Sequence, residues 1–156
     1  MLKTAHKKKI YDEGLQFYCT RCSNCCRHES GFVFLSRQDV SRLSLAFDMP
    51  SGEFTKAFCR WVYAENGREQ LSLREKSNFD CVFWAESVGC TVYQARPLQC
   101  QAFPFWSSVL QSIENWEAAA EDCPGIGQGV LHSVDTIEKW LSLRQNEPIL
   151  FKDQRH

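Results

Sequence analysis

Four cysteines fall within eight residues, Cys19-x-x-Cys22-x-x-Cys25-Cys26, and no other feature limits this fold so strongly. Thiolates are soft donors, and soluble folds rarely crowd them without a metal to neutralise them. Reduced core thiols are the alternative reading. The run, however, carries Arg21, Asn24, Arg27 and His28, and a charged segment has little to bury. Two-residue spacing lets neighbouring thiolates converge on one ion or one cluster face, as in zinc knuckles and ferredoxin-type runs. Adjacent cysteines point apart, so we expect Cys19, Cys22 and Cys25 at one centre and Cys26 at a second centre or in a bridging position. His28 is placed to be a ligand or a donor to one; a surface histidine is the plainer reading.

Five further cysteines follow: Cys59, Cys81, Cys90, Cys100 and Cys123. Cys123 precedes Pro124, and a remote cysteine before proline also ends the bacterial ferredoxin pattern. Cys59 lies in the apolar stretch Phe54 to Trp61 and reads as a core thiol. The other four join the run as candidate ligands. Eight thiolates carry eight negative charges. Two zinc ions leave four of these, and three zinc ions with bridging thiolates leave two. A four-iron cluster plus one zinc ion is a third solution, and Arg21, Arg27 and Arg96 are available as charge-balancing donors.

The chain is long enough, at 156 residues, to bury a core without help from metal, and we expect a single domain over 1–156. Its start is charged and has no apolar signal region, and no window suggests a membrane span. We therefore expect a cytoplasmic protein, where thiols stay reduced; nine cysteines, an odd count, also argue against a disulfide framework. A net charge of −1 gives no general pull towards nucleic acid or an anionic membrane, and Lys7-Lys8-Lys9 reads as a solvated tail.

The expected fold is α+β: a small antiparallel meander flanked by short helices and pinned by a cysteine-ligated metal centre. The run at 19–26 reads as a loop and Gly31–Leu35 as a short strand. Ser36 and Asp39 open a helix through Val40, Leu43 and Phe47, and Ser51 caps a second one. Asn66-Gly67 turns a hairpin within a meander over roughly 61–93, which sets Cys81 and Cys90 near opposing positions. Pro97 opens a helical turn and Pro104 ends it. Phe105–Leu110 reads as a strand, 114–121 as a helix, and Gly125-x-Gly127-x-Gly129 as a flexible connector, since no strand precedes it. His132 reads as a cap or surface residue. A closing helix spans about 134–146, and 1–9 and 147–156 are polar, frayed ends. The five tryptophans read as core.

With these residues in place, the chain resembles the CxxCxxCC family, also called YkgJ-like cysteine-cluster proteins, whose members are described as zinc or iron chelators. The resemblance is carried by Cys19–Cys26, Gly31–Leu35, Asp80-Cys81-Val82-Phe83-Trp84 and Gly89-Cys90-Thr91-Val92-Tyr93. It continues through Arg96-Pro97-Leu98-Gln99-Cys100, Phe103-Pro104-Phe105 and Cys123-Pro124-Gly125. Asn24 stands where glycine is common and Gln101 where arginine is frequent. The resemblance implies that zinc or an iron–sulfur cluster is held by Cys19, Cys22, Cys25, Cys26, Cys81, Cys90, Cys100 and Cys123 over a core of about 19–125. A related segment occurs in flagellin lysine methylases, where an iron–sulfur cluster is implied. Two readings of function stand side by side. One is a metal-binding protein whose centre is structural or holds metal. The other is an iron–sulfur redox or radical enzyme, or an accessory to a protein-modifying enzyme such as a lysine methylase, with a protein partner or protein substrate. A redox switch that ejects zinc on oxidation is a third. No nucleotide loop or Ser/His/Asp arrangement points to a reaction, and the oligomeric state is open.

Overall fold

The structure is a computed structural model that describes residues 7–27 and 29–154; the expectations for His28 and for residues 1–6, 155 and 156 lie outside them. The elements run β1 (Leu15–Phe17), α1 (Arg37–Ala46), α2 (Ser51–Phe58), β2 (Cys59–Tyr63), β3 (Glu69–Leu73), β4 (Trp84–Ala85), β5 (Gly89–Cys90), α3 (Leu98–Ala102), α4 (Ile113–Asp122), β6 (Ile126–His132) and α5 (Val134–Asn146). The fold is mixed α+β, with three antiparallel strand pairs among the described residues, β1–β6, β2–β3 and β4–β5. No helix among the described residues is long and apolar enough to cross a membrane. Two compact units are distinguished, and each is built from two stretches of chain. The first takes the chain up to Cys22 with Pro104–Ser142; the second takes Ser23–Phe103 with the chain from Leu143.

In the second unit, Ser36 opens α1 with a full capping box. Its hydroxyl accepts from Asp39 N at 3.0 Å, and the Asp39 carboxylate accepts from Ser36 N at 2.9 Å. Two of the four unpaired N–H groups at that helix end are satisfied in this way. α1 and α2 bury Val40, Leu43 and Phe54 against Leu71 and Leu73 of β3. Phe47, Phe54, Phe58 and Phe83 form an aromatic cluster with ring centroids 5.0–6.2 Å apart.

Several expectations are corrected here. The helix cap at 50–51 is Pro50, with no side-chain bond. α2 stops at Phe58, so Cys59 opens β2 opposite Leu73 and is buried in the core. The continuous meander is replaced by two separate hairpins. Between them the chain folds into turns closed by Lys76 N to Asp80 O at 2.8 Å and Trp84 N to Cys81 O at 2.9 Å. Those bonds use donors that a strand over 81–84 would have given to a neighbour. As a result Cys90 faces Trp84, while Cys81 pairs with Glu75. Residues 33–35 lie alongside β3 as irregular extended chain, with Leu35 N bonded to Leu71 O and Leu73 N to Val33 O. The 147–156 end is not frayed over its described part. Leu150 N donates to Leu35 O at 2.8 Å and Leu150 O accepts from Leu71 N at 3.0 Å, and the Arg68 guanidinium covers the Phe151 ring.

In the first unit, β6 runs antiparallel to β1, with Leu15 opposite His132 and Gln16 opposite Leu131. From Ile126 onward the glycine-rich stretch is therefore a strand, and Gly125 and Gly129 have a steric reason. A Cβ on Gly125 would fall 1.8 Å from the Tyr18 carbonyl oxygen, and one on Gly129 would fall 2.6 Å from the Tyr18 ring. Phe105–Leu110 forms turns, because Val109 N and Leu110 N both return to Trp106 O. α4 is capped by Ser112, which accepts from Asn115 N at 3.1 Å. His132 is neither a cap nor a surface residue: it is half-buried, lies 5.1 Å from the Phe105 ring, and its Nε2 is 2.9 Å from Phe17 O.

Candidate metal centre

Cys25 and Cys26 sit in a turn closed by Cys26 N donating to Ser23 O at 2.9 Å. The turn has a consequence for the sulfurs. In extended chain, neighbouring side chains diverge; here the backbone curls and the two Sγ atoms stand 3.8 Å apart. This corrects the expectation that the adjacent pair points apart. Tetrahedral zinc with Zn–S bonds of about 2.3 Å holds its thiolates about 3.8 Å from each other, so the pair already has the separation of two ligands on one ion.

The rest of the second unit brings three more cysteines near this pair. Cys81 N donates to Cys26 O at 2.7 Å, which ties the run to the 80–81 segment. Arg27 reinforces the tie by pairing with the buried Asp80 carboxylate at 3.2 Å, while Asn78 Nδ2 donates to the other Asp80 oxygen at 3.0 Å. Cys90 is carried by the β4–β5 hairpin, which Thr91 closes with two bonds to Phe83 O. Cys100 lies on α3, and that helix is fixed on three sides. Leu98 N donates to the buried Asp39 carboxylate at 2.9 Å. Gln99 accepts from Phe34 N at 3.0 Å and donates to Phe32 O at 2.8 Å. Gln101 donates to Arg96 O at 2.6 Å.

The thiols of the second unit act on one another electrostatically. The Cys25 thiol is lowered to about 7, mostly by the hydrogen bond with Cys26, with help from the Arg96 charge. Cys26 is pushed the other way by the same bond, and the charges of Cys25, Cys100 and Cys81 add to the effect. Burial raises Cys100, and Cys81, Cys25 and Cys90 raise it further. Burial also raises Cys81, with Cys90 and Cys25 contributing. Neighbouring cysteine charges thus make the thiolates of Cys26, Cys81 and Cys100 harder to form, a conflict that a bound cation relieves. Cys59 is distinct: burial alone pushes it up to about 12, and no other cysteine acts on it.

Cys19, Cys22 and Cys123 belong to the first unit. Cys19 and Cys22 are exposed and Cys123 is half-buried. Tyr18 N donates to Gly125 O at 3.2 Å, which sets Cys19 one residue, and Cys123 two residues, from the same backbone crossing. Among the described residues, no three His, Cys, Asp or Glu side chains are close enough together to hold an ion. In the second unit the Cys25 and Cys26 sulfurs are in contact, and the charges of Cys81, Cys90 and Cys100 act within the same group.

The donor set nevertheless fits a thiophilic ion. All these groups are thiols, and the Arg96 charge favours the thiolates of Cys25 and Cys100. A further fit is the buried Trp84 Nε1, a donor with no acceptor, on the residue that pairs with Cys90. Sequence reasoning missed Asp39 and Gln99 as residues that hold Cys100, and it missed Trp84. Asp39 was visible only as an acidic first turn, and no sequence signal links it to residue 98.

Comparison with protein families bears on this geometry. The model of the CxxCxxCC family, described as "Putative zinc- or iron-chelating domain", matches residues 18–124. No solved structure matches the chain.

Proposed function

We propose, from the premise that this chain belongs to the CxxCxxCC family, that it is a cytoplasmic metal-binding protein whose centre is structural or holds metal. The proposed ligands are Cys25, Cys26, Cys81, Cys90 and Cys100 in the second unit and Cys19, Cys22 and Cys123 in the first. What supports this reading is that the Cys25 and Cys26 sulfurs stand 3.8 Å apart on a run tied to the Cys81 segment by a backbone bond and the Arg27–Asp80 pair, with the charges of Cys81 and Cys100 acting on Cys26. Bound there, zinc would neutralise and cross-link the thiolates; an iron–sulfur cluster would add one-electron chemistry. The chain's own contribution is to set the donors. Asp39 and Gln99 place Cys100, the Asp80–Arg27 pair joins the run to Cys81, and Arg96 lowers the cost of crowded negative charge.

Metal analysis of protein purified without oxygen tests the reading. We expect zinc or iron bound to the chain, and a lower metal content in Cys25→Ser and in Cys100→Ser. A brown protein would favour the iron–sulfur reading, with a role as a redox enzyme or as an accessory in protein modification. A colourless one with zinc would favour the structural or metal-holding reading. Metal-free protein that takes up neither ion on reconstitution would refute both.

A further inference from the structure

We propose that Trp84 is a positioning residue of this centre, its indole Nε1–H donating a hydrogen bond to a metal-bound sulfur of the cluster, foremost that of Cys90. The inference rests on the metal-binding reading above and adds an outer donor to it.

An indole N–H can only donate, and buried N–H groups almost always have an acceptor. Trp84 Nε1 is buried and has none. The fold sets the residue's backbone against those of Cys90 and Cys81. Trp84 is directly opposite Cys90 in the β4–β5 hairpin, and opposed residues on antiparallel strands share a face, with Cβ atoms about 4.5–5.5 Å apart. The Trp84 backbone N–H is bonded to Cys81 O at 2.9 Å, so the residue is joined to two cysteines of the cluster. Cys90 lies close enough to Cys81 and Cys100 for its charge to act on both.

The ring has little freedom to turn away. The Arg27 guanidinium carbon stands 3.7 Å from the centroid of the indole, and Arg27 is itself fixed on the buried Asp80. A rotation of the indole would give up that stack. Asp80, Arg27 and Trp84 thus form a column beside the cluster, with the indole held by its face and its N–H edge still to be matched.

The chemistry of the acceptor completes the argument. A thiol sulfur accepts only weakly. A metal-bound thiolate carries charge, and hydrogen bonds to charged acceptors are markedly stronger. The same N–H is poorly matched to a protonated cysteine and well matched to a ligated one. Such a donor withdraws charge from the sulfur and fixes its direction, which is how outer partners tune a metal site.

The test uses the full chain with labelled indole nitrogens, loaded with a spin-active cadmium isotope under anaerobic conditions and observed by NMR. Of the five tryptophan signals, that of Trp84 is expected to move downfield on loading, to exchange more slowly with water, and to show scalar coupling to cadmium through the hydrogen bond. Trp84→Phe keeps a ring for Arg27 to cover but removes the donor. With cobalt(II) as the probe, it is expected to shift the sulfur-to-metal charge-transfer band, while Trp106→Phe leaves the band in place. Full cadmium uptake with an unmoved, uncoupled Trp84 signal would overturn the inference and leave the metal-binding reading standing. No cadmium uptake at all would overturn both. The NMR measurement is made on the natural chain, so it does not depend on how well either variant folds.

Discussion

Asp39 does more than start a helix. Its carboxylate is completely buried and takes hydrogen bonds from Ser36 N, from Leu98 N and from Arg42. One side chain therefore closes the capping box of α1 and holds the first turn of α3, two residues before Cys100. Asp39→Ala would leave two buried N–H groups unpaired, at about 1–3 kcal/mol each, so a loss of about 2–6 kcal/mol is expected in urea unfolding. Asp39→Asn keeps one acceptor oxygen for Leu98 N and should lose less. If the alanine variant unfolded at the same urea concentration as the natural chain, the carboxylate would not be the link between these helices. Glu138 in the first unit gives a pH-dependent case. Its carboxyl is held below its ordinary value by hydrogen bonds from Lys9 Nζ and Tyr11 Oη. A lowered folded-state value means that the contribution is fully present above the unfolded value of about 4.3 and is lost as pH falls through the folded one. Urea midpoints of Glu138→Gln should fall slightly below those of the natural chain near neutral pH and converge with them in acid. The gap should be small, because the pair is about half exposed and water screens it.

Among the elements, β6 shows how a glycine motif can mislead. Gly125-x-Gly127-x-Gly129 contains no apolar alternation and reads as a connector, yet from Ile126 onward it forms a strand because β1 and Tyr18 lie against it. The reason for Gly125 is contact with a residue more than a hundred positions away, which spacing within the sequence cannot reveal. Gly125→Ala should displace Tyr18 and destabilise the first unit by about 1–3 kcal/mol, the usual cost of overpacking; thermal unfolding would measure it. Gly127→Ala meets no neighbour but sits at φ +80°, so it probes backbone strain alone and should cost about 1 kcal/mol. Helices were more legible than strands for the same physical reason. The capping box Ser36–Asp39 and the span of α5 depend on residues three or four apart. The strand order, the pairing of Leu150 with Leu35 and the turns at 105–110 depend on partners elsewhere.

At the scale of the whole molecule, the cysteine run was legible as a loop, which residues 19–26 form, because charge and spacing are local signals. The arrangement behind it was not. The division between the two units falls between Cys22 and Ser23, inside the run, and the buried links through Asp39, Asp80 and Trp84 exist only in the folded chain. How much the fold depends on metal then follows from what each part has besides sulfur. Zinc finger peptides gain about 10–16 kcal/mol from structural zinc and are unfolded without it. The second unit differs, because α1, α2 and β2–β3 close around Leu35, Leu43, Phe54, Leu71 and the phenylalanine cluster. The β4–β5 hairpin has strands of only two residues each, too short to persist on their own, and residues 23–27 have no regular structure beyond a turn. Chelation should therefore lower the melting temperature without abolishing folding, and the loss of order should be local. In hydrogen exchange, the amide of Cys81, bonded to Cys26 O, and that of Thr91, bonded to Phe83 O, should lose protection when metal is stripped. The amides of Leu71 and Leu73, which tie β3 to Leu150 and Val33, should keep it. Uniform loss across both groups would mean that the apolar core cannot stand without the ion, and unchanged protection in both would mean that the ion holds nothing together.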